Sequence, residues 1–95
     1  MVVKGHPAHP ALSRHTAALA HAVVAAQGLP AGVFQFVEGG SIEVGVALVQ
    51  APEITSVAFT GSFKGGTALA RIAGERARPI PFYGELGSVN PLVVL

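Results

Sequence analysis

The chain has 95 residues, of which 51% are hydrophobic and only 12% charged, and that length admits one domain or part of one. The charged share is about half that of an ordinary globular domain, so much of the surface is expected to pack against further protein. A net charge of +1 from six basic and five acidic residues, with no basic run, gives no footing for nucleic acid or an anionic membrane, and the absence of cysteine excludes a disulfide framework and thiolate catalysis by these residues.

Val2-Val3 reads as the end of a strand, and Lys4–Pro10 (KGHPAHP) as a loop punctuated by glycine and two prolines. A helix is predicted over Leu12–Gln27, because Leu12, Thr16, Leu19, Val23 and Ala26 step by four and three onto one face. Gly28 and Pro30 end it in the usual order. Val33–Val37 (VFQFV) is a short apolar strand and Glu38-Gly39-Gly40 a turn. Ser41 is placed to cap a helix through Gln50, with Glu43 in the first turn complementing the positive end of the helix dipole, before Pro52 ends the segment. Thr55–Phe59 is the next strand, Thr60-Gly61-Ser62 a sharp turn, and Phe63–Ala73 a third helix. A strand is expected at Ile80–Tyr83, and Pro91 precedes a last apolar run, Leu92–Leu95, read as a further strand. Strands alternate with helices and are continuously apolar, which is the pattern of a parallel sheet with helices on both faces.

No apolar stretch is long enough to span a bilayer, since the longest, Ala17–Ala26, is alanine-rich and interrupted by His21. Met1-Val2-Val3-Lys4 lacks the form of a secretion signal. The expected location is the cytoplasm.

Chemistry concentrates in VAFTGSFKGG, Val57–Gly66, where an apolar strand feeds a short turn that opens a helix. Ligands of open parallel sheets sit at the carboxyl ends of strands, and a helix N-terminus suits phosphate. Gly61 lets a ligand approach the backbone, and Ser62 can cap the helix and offer a hydroxyl. Gly65 and Gly66 each cost roughly 1 kcal/mol of helix propensity relative to alanine, which suggests that something needs room there. Spacing alone also fits an ordinary strand–turn–helix with a serine cap. It is not the glycine fingerprint of the usual dinucleotide fold. Glu85, flanked by Tyr83, Gly84, Leu86 and Gly87 after an apolar strand, reads as a general base tuned by burial, or as an exposed strand-end glutamate.

FTGS at Phe59–Ser62 and ELGSVNP at Glu85–Pro91, preceded by VVKGHPAHP at Val2–Pro10, stand in an order and spacing that resembles the aldehyde dehydrogenase superfamily over the whole chain. The resemblance implies an α/β fold in which residues 1–95 are a fragment of a Rossmann-like NAD(P)-binding domain, continuing into a catalytic domain. It implies NADP or NAD as cofactor, a small-molecule aldehyde as substrate, and a homo-oligomeric intact enzyme. The reaction would be oxidation of the aldehyde to a carboxylic acid through a cysteine thioester. The family's cysteine lies beyond Leu95 and its oxyanion-holding asparagine upstream, so the chain by itself is expected to be inactive.

The same resemblance implies roles for particular residues. Lys4 would reach the adenosine ribose or a 2′-phosphate, Gly45 would let its helix pass close to the adenine, and Ser62 would contact the cofactor phosphates. Glu85 would be the general base that activates water against the thioester, with Leu86 following it at the nicotinamide end. Lys4 also reads as a solvated loop lysine, and Gly45 as a helix–sheet contact glycine. Two departures stand out. Pro7 occupies the loop position where many NAD-preferring members carry a glutamate, which lowers the repulsion a 2′-phosphate would meet. Ser88 and Val89 replace the usual glycine and lysine, a wording similar to α-ketoglutaric semialdehyde and NADP-dependent fatty aldehyde dehydrogenases. A complete, non-catalytic nucleotide-binding or interaction module is the competing reading.

Other residues read as structural. His6, His9, His15 and His21 lack the partners and spacing of a metal site, so no metal is expected. Phe34, Phe36, Phe59, Phe63 and Phe82 read as core, and Arg71, Arg76 and Arg78 as a solvated helix end.

Overall fold

The computed structural model describes residues 1–87 and 91–94. Their order is β1 (Val2–Lys4), α1 (Pro10–Ala26), a 3₁₀ turn (Ala31–Val33), β2 (Gln35–Val37), α2 (Ile42–Gln50), β3 (Val57–Gly61), α3 (Phe63–Glu75) and β4 (Phe82–Leu86). Helices alternate with strands, and every pairing is parallel, as the pattern of apolar runs implies. The chain divides into two compact units, Met1–Val44 and Gly45–Leu95.

In the first unit β1 pairs with β2, with Val3 opposite Phe36 and Lys4 opposite Val37. The Gly5 amide extends the ladder to the Val37 carbonyl at 2.9 Å. Pro10 opens α1, where its missing N–H costs nothing. The helix closes on Gly28, whose φ of 63° is left-handed. The Gly28 amide donates to the Ala25 carbonyl and the Leu29 amide to the Val24 carbonyl, so these two carbonyls of the last turn find partners beyond the helix. Ala17 is the buried hydrophobic residue of α1 (5% exposed), whereas Leu12, Leu19 and Val23 of the predicted apolar stripe are 66%, 56% and 61% exposed. Phe34 packs edge-on to His21, with ring centroids 5.0 Å apart.

In the second unit β3 pairs with β4 over five positions, from Val57 opposite Phe82 to Gly61 opposite Leu86. Strand alternation sends Val57, Phe59, Phe82 and Leu86 to one face. That face meets the cluster of Val49, Leu69 and Ala73 from α2 and α3, joined by Val46, Ile72 and Ile80. The opposite face carries Ala58, Thr60, Tyr83 and Glu85 and is exposed.

Several boundaries depart from the reading of the sequence. β2 begins at Gln35, because residues 31–33 close a 3₁₀ turn with the Val33 amide on the Pro30 carbonyl. Strands β3 and β4 both run two or three residues further than local apolarity suggests. Thr60, Gly61, Glu85 and Leu86 are therefore strand residues, held by the ladder they share. Leu92, Val93 and Val94 of the expected last strand are irregular and exposed, with no described strand beside them to take up their backbone hydrogen bonds. Ser88, Val89 and the Leu95 end of that run lie outside the described residues. Phe63 is 67% exposed and not core, because it sits at the first position of α3.

Arg76 is also not solvated. Its Nη1 donates to the Val49 and Ile54 carbonyls at 3.1 and 2.9 Å, and its Nη2 to the Ala51 carbonyl at 3.1 Å. One guanidinium thus ties the end of α3 to the Val49 carbonyl, in the last turn of α2 where helix geometry leaves carbonyls without internal partners, and to the Ala51 and Ile54 carbonyls of the loop after it.

Candidate functional site

Each unit presents the carboxyl ends of a parallel strand pair, the position at which open α/β sheets bind ligands. In the first unit, the loop after β1 and the turn after β2 enclose a cleft of about 290 Å³, lined by residues that include Gly5, His6, Pro7, Ser13, Arg14 and Glu38. That volume lies at the small end of ligand pockets, which run about 300–1,000 Å³, and suits one end of a dinucleotide rather than the whole. Gly5 is close-set, since a Cβ there would lie 2.8 Å from Phe36 Cζ and 3.2 Å from Ser13 Cβ, so that the phenyl ring would have to shift. Lys4, one residue before the lining residue Gly5, is half-buried, and its Nζ donates to the Gly5 carbonyl at 3.1 Å.

The fold brings two further side chains into this cleft that the sequence reading left out. Arg14, in the second turn of α1, donates from Nε to both carboxylate oxygens of Glu38 at 2.8 and 3.0 Å. The loop position held by Pro7 carries no acid, yet a carboxylate reaches the same cleft from the end of β2. One signal was available: a glutamate directly after an apolar strand and before two glycines, at the place where dinucleotide folds set a ribose-binding acid. Its pairing with Arg14, 24 residues away, was not visible.

In the second unit, Ser62 is the N-cap of α3, and its Oγ accepts from the Gly65 amide at 3.1 Å. Helix geometry leaves the amides of Phe63 and Lys64 without a carbonyl inside the helix, so this end retains donors suited to phosphate. The Ser62 hydroxyl, used here as an acceptor, keeps its own proton to donate. Gly65 is close-set, because a Cβ there would lie 3.0 Å from Ser62 Oγ. The room at Gly66 is taken by the Leu86 side chain, which occupies the space a Cβ would fill. Part of the glycine signal in this turn therefore comes from strand–helix packing.

Gly45 differs from both. A Cβ at Gly45, in the interior of α2, would meet nothing within 4 Å among the described residues. Glu85 lies opposite Thr60 in the ladder, on the exposed face beside Tyr83. The burial expected to tune it is not supplied by the described residues. Gly87 follows with a φ of 64°, turning the chain out of the strand one residue after Leu86.

Ser62, Glu85 and Leu86 are thus gathered at one end of the β3–β4 pair, while Lys4 stands at the corresponding end of β1–β2. Taken each by itself, the units fit parts of a dinucleotide: the cleft lined by Arg14 and Glu38 in the first is of nucleoside size, and the capped N-terminus of α3 in the second suits phosphate. Among the described residues no three His, Asp or Glu side chains are grouped to hold a metal ion, and no helix is long and apolar enough to cross a membrane.

The model of the Aldehyde dehydrogenase family matches residues 1–95. Alpha-ketoglutaric semialdehyde dehydrogenase 2 of Azospirillum brasilense is 45% identical over 94 residues, which cover 99% of this chain and 18% of that protein. Alpha-ketoglutaric semialdehyde dehydrogenase of Acinetobacter baylyi is 39% identical over 95 residues, all of this chain and 18% of its own length. Among solved structures, a mutant of Bradyrhizobium japonicum proline utilization A aligns with a TM-score of 0.78 at 30% identity, covering 90% of this chain and 8% of that one. The chain therefore spans less than a fifth of the length of these relatives.

Proposed function

This chain belongs to the aldehyde dehydrogenase family, and from that premise we propose that it is part of the NAD(P)-binding domain of an enzyme that oxidises an aldehyde to a carboxylic acid. The aldehyde we favour is α-ketoglutaric semialdehyde, on the strength of the two relatives aligned over 99% and 100% of this chain. The proposal includes a cysteine nucleophile and a catalytic domain contributed by sequence other than these residues, an intact homo-oligomer, and a cytoplasmic location. The observation that carries it is the gathering of Ser62, Glu85 and Leu86 at one end of a parallel strand pair.

When bound, NAD(P) supplies the acceptor for the hydride that leaves the substrate. The chain's own residues bind and orient. Lys4 and the cleft beside it take the adenosine end. Gly45 leaves open space on α2 for the adenine, and Ser62 with the first amides of α3 takes the phosphates. Leu86 lies at the nicotinamide end. Glu85 removes a proton from water as its oxygen bonds to the acyl carbon of a cysteine thioester; the carbon–sulfur bond then breaks and the thiolate departs. The cover that would tune Glu85 comes, in this reading, from the catalytic domain.

The test is Glu85→Gln in the intact enzyme. Loss of a general base is expected to lower steady-state turnover by about 10²–10⁴-fold while NAD(P)H still forms in a pre-steady-state burst. Cofactor affinity should stay close to that of the unmodified enzyme. A burst that falls in proportion to turnover would overturn the assignment of Glu85.

A further inference from the structure

We propose that Glu38, held by Arg14, sets the enzyme's choice between a ribose 2′-hydroxyl and a 2′-phosphate, favouring the hydroxyl. The inference rests on the reading of the cleft after β1 and β2 as the adenosine site. Three observations lead to it. Glu38 directly follows β2, at the carboxyl end of the strand paired with the one that carries Lys4. Arg14 and Glu38 line the same cleft as Gly5 and Pro7. Arg14 engages both carboxylate oxygens through one nitrogen, Nε.

The chemistry follows from that geometry. A carboxylate is an acceptor only, so it can take a hydrogen bond from a ribose hydroxyl but repels a phosphate at the same place. Dinucleotide folds use an acid at this point in the strand order to hold the ribose of the non-phosphorylated cofactor. Pro7 leaves the loop after β1 without an acid, and Glu38 supplies one from across the cleft. Arg14 acts as a positioning residue. It fixes the carboxylate through Nε, and its outward guanidinium nitrogens are occupied by no other described partner. Once the charge on Glu38 is removed, the same guanidinium becomes a fork for phosphate, which arginine binds through two parallel hydrogen bonds.

The test uses the full-length enzyme that carries this segment and two probes that report on the adenosine end alone, adenosine 5′-monophosphate and adenosine 2′,5′-bisphosphate, titrated by calorimetry. The unmodified enzyme is expected to bind the monophosphate at least as tightly as the bisphosphate. Glu38→Gln should tighten the bisphosphate by about tenfold relative to the monophosphate, the scale of one charge-assisted hydrogen bond. Adding Arg14→Gln to that variant should remove the gain, because the gain requires the freed guanidinium. If Glu38→Gln does not fold, Arg14→Gln alone carries the test: an uncompensated carboxylate should weaken the bisphosphate about tenfold relative to the monophosphate. A ratio of the two affinities that stays fixed in the variants overturns the role of Glu38 while leaving the dinucleotide site intact. An unmodified enzyme that binds neither probe overturns the adenosine-site reading and this inference with it.

Discussion

The two units of the chain are built from the same βαβ grammar and are held by different forces. The second encloses Val49, Leu69 and Ala73 at 3%, 8% and 0% exposure, with one face of β3–β4 laid against them. The first buries Ala17 at 5% and leaves Leu12, Leu19 and Val23 of α1 more than half exposed. Besides the edge-on contact of Phe34 with His21, its helix is tied to the end of β2 by the ion pair of Arg14 with Glu38, whose side chains are 64% and 41% exposed. Exposed ion pairs contribute little to stability, typically less than about 1 kcal/mol. The lesson is a division of labour. The unit with the serine cap and Glu85 has a core of its own, while the unit with the nucleoside-sized cleft has an apolar helix face still to be covered.

That contrast can be broken most forcefully at Leu69. Leu69→Ala should cost about 2–5 kcal/mol, the range for a truncated core leucine, and should release amide protection through β3 and β4 in hydrogen exchange. Leu19→Ala, at an exposed site, should stay within about 0.5 kcal/mol in this chain. Equal effects would erase the distinction between the units. Arg76→Ala comes next, since it takes a donor from the Val49 and Ile54 carbonyls and one of two donors from the Ala51 carbonyl, which keeps the Ile54 amide. A loss of about 1.5–3 kcal/mol by urea denaturation is expected, with no rescue by lysine, whose single ammonium cannot span three acceptors in the same fork.

Gly66→Ala probes the contact that seats Leu86. The added methyl enters space the leucine fills, so a cost of about 1–3 kcal/mol is expected, and Leu86→Ala in the same chain should recover most of it. Failure of that recovery, in the same denaturation assay, would mean that the glycine serves the backbone and not the contact. The smallest effect concerns pH. A hydrogen bond from Ser41, aided by the Glu43 backbone amide, holds the Glu43 carboxyl below its ordinary value. A group depressed in the folded state adds stability above its unfolded pKa, and that stability is lost as pH falls through the folded value. Ser41→Ala should move the Glu43 titration, followed by carbon NMR, back up toward the ordinary carboxylate range.

Much of this was legible in the sequence, and the failures share a cause. The order of helices and strands followed from apolar periodicity and from glycine and proline punctuation. The Ser62 cap followed because donor and acceptor lie three residues apart. Strand ends were misjudged because Thr60, Gly61 and Glu85 look like turn residues locally, yet each is held by a neighbour on the other strand. The Arg76 clamp was hidden for a related reason: its partners are backbone carbonyls, which no side-chain pattern announces. The Arg14–Glu38 pair joins a helix to a strand end across 24 residues, and only the fold brings them together.

The pairing of Gly61 with Leu86 has one further consequence. Neighbouring side chains on a strand point to opposite faces, so a slip of β4 by a single residue would exchange Leu86 and Glu85. The carboxylate would then be driven into the notch above Gly66, a space shaped for hydrocarbon, and the leucine turned outward. The notch therefore serves as an index mark: it accepts one alignment of the two strands and thereby decides which way the acid points.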